Sequence, residues 1–178
     1  NFLSRFTNAL IVCIGAAVCG SNSVMLKYDS GDSGNINIDA LTLVPKSTSW
    51  LQAENAVLSG GVQINCNHSG YVGTGFTDSW STAGAKASFT ANCEATGYYD
   101  LIVRYANGEA SGRTLNLYVN RKFVQTLHFP VVSSADWNAW REISFSKILK
   151  LYKGINSIVL AYDNGNNGKL NIDSIAFQ

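Results

Sequence analysis

Residues 98–129 read YYDLIVRYANGEASGRTLNLYVNRKFVQTLHF, and this stretch decides the fold class. Leu101 and Val103 alternate with Ile102 and Arg104, and Leu115, Leu117 and Val119 alternate with Asn116 and Tyr118. A period of two sends successive side chains to opposite faces of a strand. Asn107-Gly108 and Asn120-Arg121 interrupt these runs with turn-forming residues. Three strands are therefore predicted, over 98–106, 114–119 and 122–129.

Working outward, the same reading predicts strands over 50–58, 61–66, 85–92, 141–146, 157–162 and 170–177, and no stretch sustains a helical period. Many short strands at this spacing predict an all-β domain, a β-sandwich of the jelly-roll type. Composition agrees with this. The chain of 178 residues has 16 Gly against 2 Pro, is 46% hydrophobic and only 14% charged. That much apolar content builds a core, and charge this sparse excludes an intrinsically disordered chain. With 13 basic and 12 acidic residues, no positive surplus exists to neutralise a phosphate backbone, so nucleic acid is not an expected partner.

The chain also repeats itself. Residues 20–43, GSNSVMLKYDSGDSGNINIDALTL, align at constant offset with residues 154–177, GINSIVLAYDNGNNGKLNIDSIAF. Gly20, Asn22, Tyr28, Asp29 and Asp39 recur as Gly154, Asn156, Tyr162, Asp163 and Asp173. The alignment divides the chain into residues 1–44, the last third of a preceding module, a polar linker over 45–49, and a complete module over 50–178. It also removes a decoy. Gly31-Asp32-Ser33-Gly34 looks like the surroundings of a nucleophilic serine, but Asn166 and Asn167 replace Asp32 and Ser33 in the second copy, so the segment is read as a hairpin loop. The apolar run at 9–20 is shorter than the roughly 20 residues that a membrane span requires and is read as folded structure. A partial sandwich would expose an apolar face, so residues 1–44 are expected to come from a longer array or to be completed by another copy of the chain. The second case would give self-association into a fibre.

Cys13, Cys19, Cys66 and Cys93 form no CxxC pair, and His68 and His128 stand far apart, which argues against structural zinc. Cys66 with Cys93, and Cys13 with Cys19, are either disulfides of a secreted protein or small packed residues.

An ordered set of strings then carries a family resemblance. The strings are Gln52-Ala53-Glu54-Asn55-Ala56, the loop from His68 to Phe76, Gly97-Tyr98-Tyr99-Asp100-Leu101, Arg104-Tyr105-Ala106-Asn107-Gly108, Asp136-Trp137-Asn138-Ala139-Trp140 and Asn171-Ile172-Asp173. Together they resemble the carbohydrate-binding modules of family 35 and the related family 6. The resemblance implies a non-catalytic, extracellular sandwich that recognises a polysaccharide or glycan. It also implies a structural Ca²⁺ held by Gln52, Glu54 and Asp173, a set of hard oxygen ligands of the kind Ca²⁺ takes. Gln52 stands where the family often has Glu.

A pyranose offers an apolar face and a rim of hydroxyls, so its site needs exposed aromatic planes with amide or charged groups around them. Tyr71 and Trp137, each in a polar loop, fit the platform, and the resemblance implies that aromatics in these two loops line the ligand cleft. The resemblance also implies an Asn in the last loop. Here Lys169 follows Asn166 and Asn167, and those two amides are expected to replace it. Arg104 and Arg113 suit a uronate carboxylate, or else are a solvated strand residue and a loop charge. Trp140 is read as packed, Trp50 as a lid on the first strand, and Trp80 as either core or rim. The carboxylates are scattered through turns with no pairing evident for glycoside hydrolysis, so the chain is not expected to be an enzyme. The alternative function is a structural subunit of an extracellular fibre or coat.

Overall fold

A computed structural model describes residues 48–178. The copy of the repeat in residues 1–44, with Cys13, Cys19, the apolar run at 9–20 and the proposed self-association, lies outside the described residues, as does the linker up to Ser47. From Ser49 onward the chain forms eleven strands, β1 Ser49–Gln52, β2 Val57–Ser59, β3 Gln63–Asn65, β4 Phe76–Asp78, β5 Ala85–Cys93, β6 Gly97–Ala106, β7 Arg113–Val119, β8 Lys122–Phe129, β9 Arg141–Leu151, β10 Gly154–Tyr162 and β11 Asn171–Phe177. They pair antiparallel in two sheets and make the predicted jelly-roll sandwich. The first sheet runs β3-β4-β11-β6-β9, with β1 also on β11, and the second runs β2-β5-β10-β7-β8.

The period-two pattern produces the core directly. Ala87, Phe89 and Ala91 of β5, Leu115 and Leu117 of β7, and Ile158 and Leu160 of β10 face Leu101, Val103 and Tyr105 of β6 across the sandwich, all of them buried. Each fully buried Leu or Ile contributes about 1.5–3 kcal/mol. All of β11 is buried. Opposite Arg104 the pairing with β6 slips between Ile172 and Ser174, which leaves Asp173 as a bulge. A bulge re-aims the side chain it carries, and here it turns a carboxylate into the interior.

Several details differ from the sequence reading. The run 50–58 is two strands in different sheets, separated by a 3-10 turn at Ala53–Asn55. Strand β4 lies in a Gly-rich segment too short to show a period. The loop that follows Tyr162 is not a hairpin, since β10 belongs to the second sheet and β11 to the first, so this loop crosses the sandwich. Of the turns named above, Asn120-Arg121 joins paired neighbours, with φ of 49° and 68°, as a two-residue hairpin demands. Cys66 is exposed, Cys93 is buried, and both are free thiols. Trp80 is core. Trp50 is not a closed lid, being 38% exposed beside the still more open Val57. Among the described residues no helix is long and apolar enough to cross a membrane.

Candidate functional site

Strand direction gathers four loops, at 79–84, 107–112, 130–140 and 163–170, at one end of the sandwich, and the loop 66–75 reaches them through His68. Thr48 and Gln178 meet at the other end, where Thr48 Oγ1 donates to Gln178 Oε1 at 3.3 Å. Between the loops lies a cleft of about 210 Å³, lined by His68, Asp78, Glu109, Trp137, Lys169 and Asn171 among others.

Trp137 forms one wall of the cleft, and Asn107-Gly108 holds it there. Asn107 is fully buried; its Nδ2 donates to the carbonyls of Ser111 and Phe129, and its Oδ1 accepts from Glu109 N–H. The carbonyls of Asn107 and Gly108 in turn accept from Val132 and Ala135, which fastens the loop that carries Trp137. The indole lies directly against Gly108, where a Cβ would come within 2.8 Å of the ring. The His68 ring lies 6.4 Å from the indole, inclined to it by 30°. Ser79 and Lys169, which line the cleft, and Ala135 beside it all have left-handed φ, between 53° and 63°. Such costly backbone in non-glycine residues clusters where a site imposes geometry.

The charges of the cleft are already engaged. Glu109 Oε2 accepts from Arg113 at 2.6 Å, and Lys169 Nζ lies 4.0 Å from Oε1. Asp78 accepts from Asn65 Nδ2 at 3.0 Å and from Ser79 Oγ at 3.0 Å. Two carboxylates that looked scattered in sequence thus share one cleft, but each has its own partners.

Of the residues singled out as sugar contacts, the cleft is lined by Trp137 and not by Tyr71, Arg104, Asn166 or Asn167. Tyr71 packs on Phe76, 5.6 Å away. Arg104 Nε lies 2.8 Å from Asp173 Oδ2, its NH2 donates to Gly70 O, and its guanidinium covers Trp140. The amides of Asn166 and Asn167 tie the crossing loop to β7. Asn166 Nδ2 donates to Asn116 Oδ1, and Asn167 Oδ1 accepts from Thr114 N–H at 2.7 Å. The sequence reading does not single out His68, Gly108 or Glu109. His68 and Gly108 belong to the strings quoted above, and Glu109 carries no signal, since proximity across loops has no period to read.

The loop 66–75 is a strap between the cleft and a second corner. Ser69 is held by Asn138 and Trp140, Val72 N–H donates to Asp173 Oδ1 at 3.0 Å, and Thr74 N–H donates to Glu54 Oε1 at 2.8 Å. A Cβ on Gly73 would collide with Glu54 Oε1 and crowd Gln52 Oε1, so these two side chains converge beneath it. Gln52 Oε1 and Glu54 Oε2 are buried acceptors without a donor. Asp173, by contrast, is engaged by Arg104 and Val72. Burial pushes its carboxyl above the usual range, the Val72 N–H and the Arg104 charge pull it down, and the Glu54 charge raises it again. Among the described residues no three His, Cys, Asp or Glu side chains cluster as a metal site.

Comparison with known proteins places this geometry. Residues 49–178 match the model of the carbohydrate binding module, family 35. A 1,6-alpha-glucosyltransferase of Sporosarcina globispora is 38% identical over 160 residues, which is 88% of this chain and 12% of that protein. A cycloisomaltooligosaccharide glucanotransferase of Niallia circulans is 38% identical over 84% of this chain and 15% of its own length. The chain thus spans about an eighth of these curated relatives. Among solved structures, a family 35 carbohydrate binding module from Clostridium thermocellum superposes with a TM-score of 0.66 at 26% identity, covering 74% of this chain and 97% of that one. A Paenibacillus cycloisomaltooligosaccharide glucanotransferase, complexed with cycloisomaltoheptaose, gives 0.60 at 35% identity, covering 71% of this chain and 18% of that one.

Proposed function

This chain belongs to family 35 of the carbohydrate-binding modules, and from that premise we propose that it binds a neutral α-linked glucan in the loop cleft, against Trp137, without catalysing a reaction on it. The observation that carries this reading is the indole laid on Gly108, an aromatic plane fixed before any ligand arrives. Around it stand groups that can exchange hydrogen bonds with sugar hydroxyls, His68, Asn171 and Lys169. Two features support a neutral ligand over a uronate. Arg104 is engaged by Asp173 and Arg113 by Glu109, so neither guanidinium fork is open, and Asp78 and Glu109 would face an incoming carboxylate. The names of the relatives, a 1,6-alpha-glucosyltransferase and cycloisomaltooligosaccharide glucanotransferases, support an α-glucan. A polymer of that kind meets its binder outside the cell, so the module works as an extracellular appendage. Catalysis is disfavoured because Glu109 and Asp78 are each tied to side-chain partners of their own, which leaves no free carboxyl pair to flank a glycosidic bond.

A Ca²⁺ belongs to the same proposal. Gln52 Oε1 and Glu54 Oε2, buried acceptors with no donor, suit a hard cation, which would supply the charge that fixes the strap. Asp173 completes the set only by sharing its carboxylate with Arg104.

Replacement of Trp137 by Ala tests the function. Retention on an α-1,6-glucan should fall at least tenfold while the circular dichroism spectrum stays that of the wild type. Unchanged retention, or stronger binding to a polyuronate than to the glucan, would refute the assignment.

A further inference from the structure

The sequence contains three Asn-Gly steps, at 107–108, 164–165 and 167–168. At such a step the glycine nitrogen, with no Cβ beside it, can attack the side-chain amide of the preceding asparagine. The fold treats the three steps differently. Asn107 is fully buried, its amide makes three hydrogen bonds, and the Trp137 indole covers Gly108. Asn167 is exposed, but Thr114 and Gly112 hold both ends of its amide, and Gly168 is wedged against the carbonyl of Trp80. Asn164 is exposed, and a Cβ on Gly165 would meet nothing within 4 Å. Among the described residues, the Asn164 amide, the Asn164 carbonyl and the Gly165 N–H have no hydrogen-bond partner. We propose that Asn164 is a site of spontaneous deamidation in the folded module, with water as the co-reactant.

The chemistry closes without any other reagent. Gly165 N forms a bond to Asn164 Cγ, the Cγ–Nδ2 bond breaks, and the Gly165 amide proton leaves with Nδ2 as ammonia. Water then opens the cyclic imide at either carbonyl, which leaves aspartate or isoaspartate at 164. Nothing is oxidised or reduced. The first step requires the 164–165 peptide to swing toward the asparagine side chain. Residues 163–166 form a turn in which Asn166 N–H donates to Asp163 O at 3.0 Å and Gly165 takes φ of 97°. The 164–165 peptide is the apex of that turn and carries neither end of its hydrogen bond, so it swings without breaking a contact. At Gly108 and Gly168 the indole and the Trp80 carbonyl leave the backbone no such space.

The product changes the crossing loop at one end. A new carboxylate stands next to Asp163, whose Oδ2 already accepts from Tyr118 OH at 2.7 Å and from Asn116 Nδ2 at 2.9 Å. In the isoaspartate form the main chain also gains one carbon inside a tightly closed turn. That turn is held by Asn166 N–H on Asp163 O and by Asp163 N–H on Asn166 Oδ1 at 2.8 Å. The loop therefore loosens where it leaves β10, while Asn167, bound to Thr114, separates the change from Lys169 in the cleft. In the similar string 20–43, Ser30 stands at the position of Asn164, and a serine cannot react in this way.

The test is a time course on the full chain, held at mildly alkaline pH either folded or unfolded in guanidinium chloride. Fragment-ion mass spectrometry of the digested protein reads the acid formed at 107, 164 and 167 separately. In the folded protein acid should accumulate at 164 and form at least about tenfold more slowly at 107 and 167, which react only from locally opened molecules. In guanidinium chloride the three rates should converge. Isoelectric focusing of the folded protein should show an acidic form growing with time, and Asn164→Gln should abolish it. Equal rates at the three steps in the folded protein would overturn the proposal, as would an intact Asn164. A lead at 164 that persists undiminished in guanidinium chloride would overturn it too, since neighbouring sequence rather than the fold would then set the rate.

Discussion

Asp163 and Asp173 bracket the same crossing loop, and both recur in the similar string 20–43, as Asp29 and Asp39. Their surroundings are opposite. Asp163 lies just past the end of β10, the middle strand of the second sheet. Partial burial there would raise its carboxyl, but the hydroxyl of Tyr118 and the amide of Asn116 outweigh that, and with the charge of Lys86 they hold it below the usual range. Asp173 sits in the bulge of β11 with no exposed surface, and burial lifts its carboxyl above that range. The same residue type therefore does two jobs. On the solvent side a carboxylate organises a satisfied hydrogen-bond network. In the dry corner it leaves charge close to Glu54 that Arg104 only partly balances, and a cation would complete the balance.

The largest effect expected from breaking this comparison is at Asp173. Asp173→Ala removes the partner of Arg104 and the acceptor for Val72 N–H, and should cost about 3 kcal/mol in chemical denaturation. Asp173→Asn should cost distinctly less, because the site disfavours the charge. Equal losses in the two variants would show that burial is not the dominant influence. Second, a hundredfold excess of Ca²⁺ over its dissociation constant should stabilise the protein by about 2.7 kcal/mol, seen as a raised Tm that chelator reverses. Glu54→Gln should weaken that response, and an unchanged Tm in both would remove the metal from the corner.

Third, Gly108→Ala tests the loop cleft. Its new methyl displaces Trp137, so glucan affinity should drop about tenfold, or about 1.4 kcal/mol, with altered tryptophan fluorescence. In a Trp137→Ala background the same change should have no further effect on affinity. The smallest effect is in the acid limb. A carboxyl held below its unfolded value stabilises the fold above that value, and this stabilisation is lost as pH falls through the folded value. A carboxyl raised by burial behaves oppositely, its contribution being lost as pH rises through the folded value. Asp163→Asn should therefore lower stability by about 1 kcal/mol at pH 7 and flatten the fall in stability below about pH 4.

Strand-forming segments were legible because alternation at Leu115, Leu117 and Val119, or at Leu101 and Val103, is a local property. The break after Gln52 was not, since which sheet a residue joins depends on partners 122 to 128 positions away for β1 and 27 to 31 positions away for β2. Trp137 was legible because an aromatic flanked by Asp136 and Asn138 in a polar loop is unusual by itself. Asn166 and Asn167 looked equally available, but their loop crosses between sheets, and its open backbone groups need amides to close them. Residues shared by the similar strings 20–43 and 154–177 illustrate the same point. Gly154 takes φ of 94°, Gly168 leaves no room for a Cβ against Trp80 O, and Asn156 closes the turn before β10. Identity there reports structural demand, whereas the cleft is assembled from loops that meet only in space.

The most direct test of the central claim is a crystal structure of the module with an isomalto-oligosaccharide. The account predicts a glucose ring laid against the indole of Trp137, with its hydroxyls reaching His68, Asn171 or Lys169. A sugar bound elsewhere at full occupancy, with the Trp137 face bare, would contradict it.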